Sequence, residues 1–343
     1  MDRREFLRSA AVLGVLGGSA QVRAADEKPL RAMTVQGPVP AAALGVTLPH
    51  EHVLVDFIGA DKVSRERYDA DEVFKVALPY LKRVKELGCQ TLVECTPAYL
   101  GRDPQLLRRL AEASGLKLLT NTGYYGAVQG KYLPAHARTE SAGQLAARWL
   151  AEWADGIEGT GIRPGFVKIG VDAGRLTEVN RKLVQAAARV HGESGLTVAA
   201  HTGDGVAALD ELKVFTAEGA AGHAFIWVHA QNEKDPALHA RAAEQGAWVE
   251  FDGVGPQTVK RHVELVRAMK ANGYLGQVLL SHDAGWYHVG TPGGGTFRSY
   301  DTLFTELIPA LKEAGFTDAE VKRLTVDNPR EAFAVRVRAR KPA

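Results

Sequence analysis

Short runs of β-branched and apolar residues alternate along this chain with longer stretches in which apolar residues recur every three or four positions. The short runs predict eight strands, near residues 47–52, 90–97, 117–123, 166–172, 196–201, 224–229, 248–253 and 277–283. The longer stretches predict helices, among them residues 71–87, 141–158, 179–191, 206–218, 235–245, 259–271 and 300–314. Eight strands that alternate with helices favour an α/β fold, namely a single-domain (β/α)8 TIM barrel.

A doubly wound open sheet is the main alternative architecture, and it would favour a glycine-rich phosphate-binding turn after its first strand. The first predicted strand instead ends in the sequence Leu-Pro-His-Glu-His at residues 48–52, which contains no glycine. Neither an internal repeat nor a linker interrupts the pattern. We therefore expect residues 34–335 to form one barrel domain.

The first 24 residues have the pattern of a twin-arginine export signal. Arg3 and Arg4 are followed by Phe-Leu, by a short apolar run with glycines at residues 10–20, and by small residues ahead of Ala25. A membrane anchor needs about 18 apolar residues, and this run is shorter. We expect the twin-arginine machinery to export the chain to the periplasm, with residues 1–24 removed.

Composition and charge restrict the possible partners. Hydrophobic residues make up 45% and charged residues 24% of the chain, which excludes intrinsic disorder. The predicted signal holds four of the 42 basic and two of the 40 acidic residues, so the remaining chain is neutral. A neutral chain without a basic stripe does not predict binding to nucleic acid or stable insertion into a membrane. The composition favours a small-molecule substrate.

Metal-binding side chains recur where the predicted strands end, and that end of a barrel carries its active site. His50 and His52 are two residues apart on one strand, so both side chains point to the same side. The further candidates at or near strand ends are Lys168, His201, His229 and Asp283. Imidazole and carboxylate ligands suit zinc and its first-row neighbours. The pattern therefore predicts a metal site at the carboxyl ends of the strands.

Lys168 does not fit a metal site as an ammonium ion, because that group has no lone pair and repels a divalent cation. Two interpretations are open. In an apolar interior the pKa of the amine falls, and the neutral amine can take up carbon dioxide to form a carbamate whose oxygens bridge two metals. Alternatively, the ammonium ion is paired with an interior carboxylate such as Glu94 or Asp172.

These residues, in this order, resemble the metal ligands of the phosphotriesterase family within the binuclear amidohydrolase superfamily, and its lactonase branch in particular. The resemblance covers residues 34–333. Its motifs are Thr-Leu-Pro-His-Glu-His at 47–52, Gly-Arg-Asp-Pro at 101–104, Gly-Phe-Val-Lys-Ile at 165–169, Ala-His-Thr at 200–202, Ser-His-Asp at 281–283 and Asp-Asn-Pro-Arg at 327–330.

The resemblance implies two divalent metal ions, with zinc expected and manganese, cobalt or iron as alternatives. It implies two ligand groups and one bridge: His50, His52 and Asp283 on the more buried ion, His201 and His229 on the more exposed ion, and carboxylated Lys168 with a hydroxide between them. Asp283 would also take the proton released when the hydroxide attacks. Members of the family are often dimers, which makes a homodimer possible.

The loops after the strands point to the substrate. Tyr125 matches a tyrosine of the lactonase branch that sits over the metal pair and orients a lactone carbonyl. The other predicted pocket residues are Tyr124, Trp286, Tyr287, Phe297 and Arg298. We expect hydrolysis of a lactone or carboxylic ester, with a weak side activity on organophosphate triesters. The enzymatic alternatives are a phosphotriesterase proper and another amide or phosphoester hydrolase.

Two departures from the family pattern keep a different class of protein open. The lactonase branch usually has arginine, and the triesterases histidine, at the position of Gly253. The residues after His229 also lack the acidic side chains that relatives often have there. Because glycine cannot relay protons, the competing class is an exported barrel that binds a metal or solute without catalysis. The complete ligand set argues against it.

Overall fold

The computed structural model describes residues 29–339 of the protein. The predicted export signal, residues 1–24, lies outside the described residues. In the described part of the chain, no helix combines the length and the apolar character needed to cross a membrane.

Eight parallel strands form the centre of the fold, and we number them along the chain. Their bounds are Thr47–Glu51 (β1), Thr91–Glu94 (β2), Lys117–Leu119 with Asn121–Thr122 (β3), Phe166–Val171 (β4), Val198–Thr202 (β5), Phe225–Val228 (β6), Trp248–Phe251 (β7) and Val278–Leu280 (β8). Each strand pairs with the next in parallel. Strand β8 returns to β1, because Asp283 N donates to His50 O (3.1 Å) and His50 N donates to Ser281 Oγ (3.0 Å). This order and direction are those of the predicted (β/α)8 barrel.

Helices follow the strands and cover the outer face of the barrel. Their bounds are Ala70–Glu86, Pro104–Ser114, Ala135–Thr139, Ala142–Asp155, Glu178–Ser194, Gly205–Ala217, Pro236–Glu244, Val259–Ala271, a π-helical turn Leu303–Leu307 that continues into Ile308–Glu313, and finally Asp318–Lys322, the π-helical Arg323–Asp327 and Asn328–Phe333. Most begin after an Asp, Ser or Thr whose side chain accepts N–H bonds of the first turn: Asp69, Asp103, Ser141, Thr177, Asp204, Asp235 and Thr317. These caps fix where the helices start.

Two predicted helices are shorter than their apolar pattern suggested. The helix expected over 141–158 ends at Asp155, because Gly156 has a positive φ of 95° and leaves the helical conformation. The helix expected over 300–314 begins only at Leu303.

The interior of the barrel changes from apolar to polar along its axis. A buried cluster that includes Val93, Phe166, Ile226, Leu279 and Phe333 fills the apolar part. Phe333 comes from the last helix and contacts Phe166, the first residue of β4 (ring centroids 5.6 Å apart), so it plugs the amino-terminal end. Polar or charged side chains are buried nearer the other end, among them His50, Glu94, Lys168 and Glu250. The apolar part therefore supports a polar floor at the carboxyl ends.

The two described ends of the chain meet at the amino-terminal face of the barrel. A hairpin of Arg31–Thr34 and Gly37–Pro40, which the sequence did not predict, lies beside β3 because Val35 N donates to Leu118 O (2.8 Å). Near the other end of the chain, Val335 N donates to Arg31 O (2.7 Å). This face is opposite the carboxyl ends of the strands.

Candidate metal centre

Six side chains at the carboxyl ends of the strands line one cavity of about 140 Å³: His50, His52, Lys168, His201, His229 and Asp283. They come from or directly follow β1, β4, β5, β6 and β8. The structure thus brings together all six residues that the sequence predicted as ligands. We call this space the metal cavity.

The nitrogen and oxygen atoms are close enough to share metal ions. His52 Nε2 lies 3.3 Å from His50 Nε2 and 3.1 Å from Asp283 Oδ1. The rings of His201 and His229 have centroids 4.5 Å apart. Ligand atoms of His50, His52 and Asp283 lie within 4.8 Å of one another, and so do those of His50, His229 and Asp252. Such clusters of imidazole and carboxylate fit a zinc-type ion.

Lys168 is buried and its amino group has no partner within residues 29–339. The ion pairs that the sequence left open are not formed. Glu94 instead accepts N–H bonds from Val53 and Thr96 (both 3.2 Å), and Asp172 accepts bonds from two backbone amides of a loop. The Lys168 Nζ atom therefore lies in the metal cavity with no hydrogen-bond partner among the described residues. A carbamate on this atom would offer oxygen donors of the kind that divalent metals bind.

Burial favours the neutral, metal-binding form in three of the four histidines, and His229 is the exception. Burial lowers the pKa of His50 to about 3, and it holds the pKa values of His52 and His201 well below the ordinary range. Burial also acts against a charge on His229, but the Asp252 carboxylate outweighs it and raises the pKa of this ring above the ordinary value.

Fixed acceptors orient these rings toward the cavity. Asp252 Oδ1 accepts a hydrogen bond from His229 Nδ1 (2.7 Å), and Thr96 Oγ1 lies 2.7 Å from His52 Nδ1. His50 Nδ1 faces two carboxylates, Asp252 Oδ2 at 3.1 Å and Glu250 Oε2 at 3.2 Å. With each Nδ1 occupied, the Nε2 atoms are free to face a metal.

Two of the ligand residues have a left-handed backbone, which is uncommon outside glycine. His229 has a φ of 65° and Asp283 a φ of 52°. Hydrogen bonds hold both, since His229 N donates to Asp252 Oδ2 (3.0 Å) and Asp283 N donates to His50 O. Strain of this kind collects at functional sites, and here it turns the two side chains into the cavity.

Gln231 occupies the space beside Gly253. A Cβ atom on Gly253 would lie 2.9 Å from Gln231 Nε2. The Gln231 amide donates to Asp252 Oδ1 (2.7 Å) and accepts from Asp252 N (3.1 Å). Asp252 is therefore fully engaged with His229, His50 and Gln231, which makes it a positioning residue and not a mobile proton carrier.

Gly123, which follows β3, allows the backbone there to pass close to the backbone of Lys168 on β4. Its φ is 113°, and a Cβ atom at this position would lie 2.2 Å from Lys168 O. Only glycine fits there. The close approach places Tyr125, two residues later, beside β4 and over the metal cavity.

The outer wall of the cavity is apolar and largely aromatic. Phe57, Leu100, Val128, Tyr132 and Trp286 line it together with Tyr125. Neighbouring rings are in contact, with centroid distances of 5.5 Å for Phe57 to Trp286, 6.0 Å for Phe57 to Tyr132 and 5.8 Å for Tyr125 to Tyr132. Apart from the ligand residues, the wall formed by residues 29–339 has no charged side chain. It suits a neutral substrate.

Tyr125 and Trp286 lie where the sequence analysis expected them, in the wall. The Tyr125 hydroxyl is 3.0 Å from His201 Nε2, and burial raises the pKa of this hydroxyl, so it keeps its proton and can donate. Tyr124 points away from the metal cavity. Its hydroxyl lies 3.1 Å from His136 Nε2 and its ring packs edge-on against Trp149.

Three further residues expected in the pocket lie outside the wall. Tyr287 is buried and its hydroxyl faces the Glu72 carboxylate, because the loop folds its ring back toward the first helix. Phe297 is buried against Tyr80 (ring centroids 4.7 Å apart). The Arg298 guanidinium lies over Trp286 at 5.6 Å from the ring centroid and donates to Asp283 O. Arg298 thus supports the back of the wall.

The sequence analysis missed Phe57, Tyr132 and Glu250. Phe57 and Ile58 are adjacent apolar residues in the loop after β1, and that position was a usable signal. Both are exposed in the structure. Glu250 is two residues before Asp252 on β7, the same spacing that revealed His50 and His52. Tyr132 carries no such signal, since it reaches the cavity from a distant part of its loop.

Comparison with known proteins decides the family. Residues 31–333 match the family model described as "Phosphotriesterase family". The chain belongs to the phosphotriesterase family. It is 28% identical to the phosphotriesterase homology protein of Escherichia coli over 84% of this chain and 98% of that protein. It is 26% identical to the aryldialkylphosphatase of Saccharolobus solfataricus over 85% of this chain and 95% of that protein.

A solved structure agrees with this assignment. The organophosphorus hydrolase from Deinococcus radiodurans superimposes with a TM-score of 0.80 at 29% identity, over 89% of this chain and 97% of that one. The family and the (β/α)8 fold predicted from the sequence are confirmed. This phosphotriesterase-family protein is a hydrolase of ester or phosphoester bonds, and its family is binuclear and metal-dependent.

Proposed function

We propose that this phosphotriesterase-family protein hydrolyses a lactone or a neutral carboxylic ester at a binuclear metal site. The observation that carries the proposal is the buried Lys168 amine, which has no hydrogen-bond partner among the described residues and shares one cavity with four histidines and Asp283. A carbamate on this amine would supply the oxygens that a metal pair needs as a bridge. Zinc suits the donor set, as do manganese, cobalt and iron.

The ligand residues divide into two groups about the bridge. His50, His52 and Asp283 would hold the more buried ion, and His201 with His229 the more exposed one. When bound, such a metal pair makes water acidic enough to attack near neutral pH and polarises the carbonyl of the substrate. Neither a serine nor a cysteine nucleophile is required.

Asp283 is the residue best placed to take the proton from the attacking water. Its carboxylate lies in the cavity floor, 3.1 Å from His52 Nε2, and its side chain is 26% exposed. Because Gly253 has no side chain and Asp252 is fully engaged, the proton leaves Asp283 through the metal cavity itself. This route differs from a relay along the outer residues that follow β6 and β7.

The wall of the metal cavity favours a neutral acyl compound. The aromatic and aliphatic side chains exclude water from the reacting carbonyl. Tyr125 is a protonated donor beside His201, where it can orient a lactone or ester carbonyl. The small volume of about 140 Å³ fits the reacting end of such a substrate.

An aryl dialkyl phosphate is the second candidate substrate. Two relatives carry the names aryldialkylphosphatase and organophosphorus hydrolase, and the contact between Phe57 and Trp286 offers a surface for an aryl group. We propose this as a weak side activity. An assay panel of aliphatic lactones and one aryl dialkyl phosphate shows which of the two activities is the stronger. Turnover of the phosphate without any turnover of a lactone would make the phosphate the main substrate and contradict our ranking.

The metal site is tested by elemental analysis of untagged protein. We expect close to two metal ions per chain in the wild type and a marked fall in Lys168→Ala. Lys117→Ala is the matched control. Lys117 is also a lysine on a barrel strand, but it begins β3 and therefore lies at the end of the barrel away from the metal cavity. This variant should keep the metal content of the wild type. One ion or fewer per chain in wild type supplied with zinc, manganese or cobalt and bicarbonate would contradict the bridged site.

A further inference from the structure

One loop separates the metal cavity from a second cavity behind it. Residues 126–130 follow β3, and the Val128 side chain lines the metal cavity. Gly126, Gln129 and Gly130 of the same loop line the second cavity, which has a volume of about 300 Å³. The loop therefore has space on both sides.

The tip of this loop has an unfavourable backbone conformation. Val128 and Gln129 both have a φ of 56°. This left-handed region is rarely occupied by residues other than glycine, and least of all by a β-branched residue such as valine. Conformations of this kind persist only where surrounding contacts hold them.

The contact that holds the tip is the carboxylate of Asp172, the residue directly after β4. Val128 N donates to Asp172 Oδ1 (2.7 Å), and Gln129 N donates to Asp172 Oδ2 (3.2 Å). The two amides belong to the two left-handed residues, so this one carboxylate holds both of their N–H groups. Their carbonyl groups have other donors, since Lys131 N donates to Val128 O (3.1 Å) and Arg138 donates to Gln129 O (3.5 Å).

The base of the loop is anchored separately from its tip. Gly126 N donates to Gly170 O (2.9 Å), and Tyr125 pairs with Gly170 in an isolated β-bridge. Loss of the Asp172 carboxylate therefore frees Val128 and Gln129 while Tyr125 stays over the metal cavity. The second cavity provides the space into which the tip can relax.

We propose that Asp172 is a positioning residue that limits the size of the acyl group accepted by the metal cavity. Its carboxylate holds Val128, which is 53% exposed, at the cavity mouth. Without that carboxylate the tip withdraws into the second cavity and the mouth widens. The role rests on the proposed function, because it presupposes a neutral ester or lactone as substrate.

Hydrogen exchange tests the hold on the loop without any substrate. In the metal-loaded Asp172→Ala variant we expect the amides of Val128 and Gln129 to exchange at least tenfold faster than in the wild type. The Gly126 amide is the internal control, since its acceptor is a backbone carbonyl that the substitution leaves in place. Equal exchange rates for Val128 and Gln129 in the two proteins would overturn the proposal.

Kinetics with 4-nitrophenyl esters from acetate to octanoate test the size limit. In Asp172→Ala we expect kcat/KM for octanoate relative to acetate to rise about tenfold, mainly through KM. Val128→Ala shortens the side chain but keeps the carboxylate, so it should shift the ratio in the same direction. Asp204→Ala is the matched control, because Asp204 follows β5 and accepts an N–H bond from Gly174 (3.1 Å) without contacting residues 126–130.

The outcomes are distinguishable. An unchanged ester ratio in Asp172→Ala, or an equal fall for every ester, would assign Asp172 a structural role only and overturn the proposal. Absence of ester and lactone turnover in the metal-loaded wild type would contradict the proposed function. It would also contradict the role of Asp172 in substrate choice, whatever the hydrogen-exchange rates of Val128 and Gln129 are.

Discussion

Glu250 and Asp252 are two carboxyl groups on the same side of the barrel wall at β7, and both face His50 Nδ1, yet their surroundings favour different protonation states. Burial and the nearby Asp252 charge raise the pKa of Glu250 well above its ordinary value. Burial acts on Asp252 in the same sense, but His229 and His50 outweigh it and hold its pKa well below the ordinary range. The environment therefore shifts Glu250 toward the neutral acid and Asp252 toward the anion.

This difference predicts unequal effects of removing the charge from each carboxyl group. Asp252→Asn should lower metal affinity or kcat/KM about 10- to 100-fold, because it removes the anion that orients two ligand histidines. Glu250→Gln keeps a group of similar shape where the raised pKa of Glu250 favours the neutral acid, so both quantities should stay within about threefold. Zinc titration of metal-free protein and lactone kinetics measure them. Equal losses in the two variants would show that Glu250 is also ionised.

Single residues could be predicted where their role depends on their position along a strand, and not where it depends on how a loop folds. His50, His52 and Asp283 could be predicted because metal ligands in a barrel stand at strand ends and their spacing fixes the side they face. The aromatic wall could be predicted only in part, at Tyr125 and Trp286. Phe297 and Phe57 are both loop aromatics in the sequence, but only folding shows that one packs inward against Tyr80 and the other opens onto the cavity.

The motif Gly-Arg-Asp-Pro at residues 101–104 holds neighbouring elements together. Asp103 caps the helix Pro104–Ser114 by accepting bonds from the Gln105 and Leu106 amides (both 3.1 Å). It also accepts bonds from Arg65 and the Tyr68 hydroxyl. Four donors therefore converge on one buried carboxylate.

Asp103→Ala should consequently lower the free energy of unfolding by about 2 kcal/mol, at the upper end for a lost helix cap. The control is Asp69→Ala, an exposed cap of the helix Ala70–Glu86 that has amide donors only, with an expected loss of about 1 kcal/mol. Urea denaturation measures both, and kcat of the folded enzyme should stay within about twofold. A loss for Asp103→Ala no larger than for the control would show that Arg65 and Tyr68 add nothing.

The predictability of elements followed the length of their apolar runs. All eight strands were predicted near their observed positions, because a buried parallel strand is a continuous run of apolar residues. The hairpin Arg31–Thr34 with Gly37–Pro40 was missed because its strands have four residues each and the second contains two prolines. The break at Thr120 in β3 left no mark in the apolar pattern.

At the scale of the whole molecule, His191 ties the last part of the chain to the barrel. Its Nδ1 donates to Leu196 O (2.9 Å), and its Nε2 accepts from Arg338 N (2.9 Å). This arrangement requires a neutral ring, and burial lowers the pKa of His191 below its ordinary value. An unfolded histidine has a pKa of about 6.5. The resulting stability is present above that pH and is lost as the pH falls toward the folded-state pKa.

We therefore expect His191→Leu to be less stable than the wild type at pH 7, and the difference between them to shrink by about 1 kcal/mol at pH 5. Urea denaturation at the two pH values measures this. Parallel pH profiles for wild type and His191→Leu would contradict the assigned role.

Export of the folded molecule remains a prediction from residues 1–24. Replacing Arg3 and Arg4 together with lysine should retain the protein in the cytoplasm, because the twin-arginine route requires the arginine pair. Arg8→Lys leaves that pair intact and should be exported normally. Immunoblots of periplasmic and cytoplasmic fractions measure both, and periplasmic accumulation of the double variant would contradict the twin-arginine route.

The hydrogen bond between Val335 N and Arg31 O places the two described ends of the chain side by side, on the face opposite the metal cavity. A linker attached near either point leads away from the cavity mouth. An enzyme anchored to a bead or an electrode through both points would present its entrance to the flowing solution. Every molecule on such a support would have the same orientation, so the immobilised layer would retain its access to substrate.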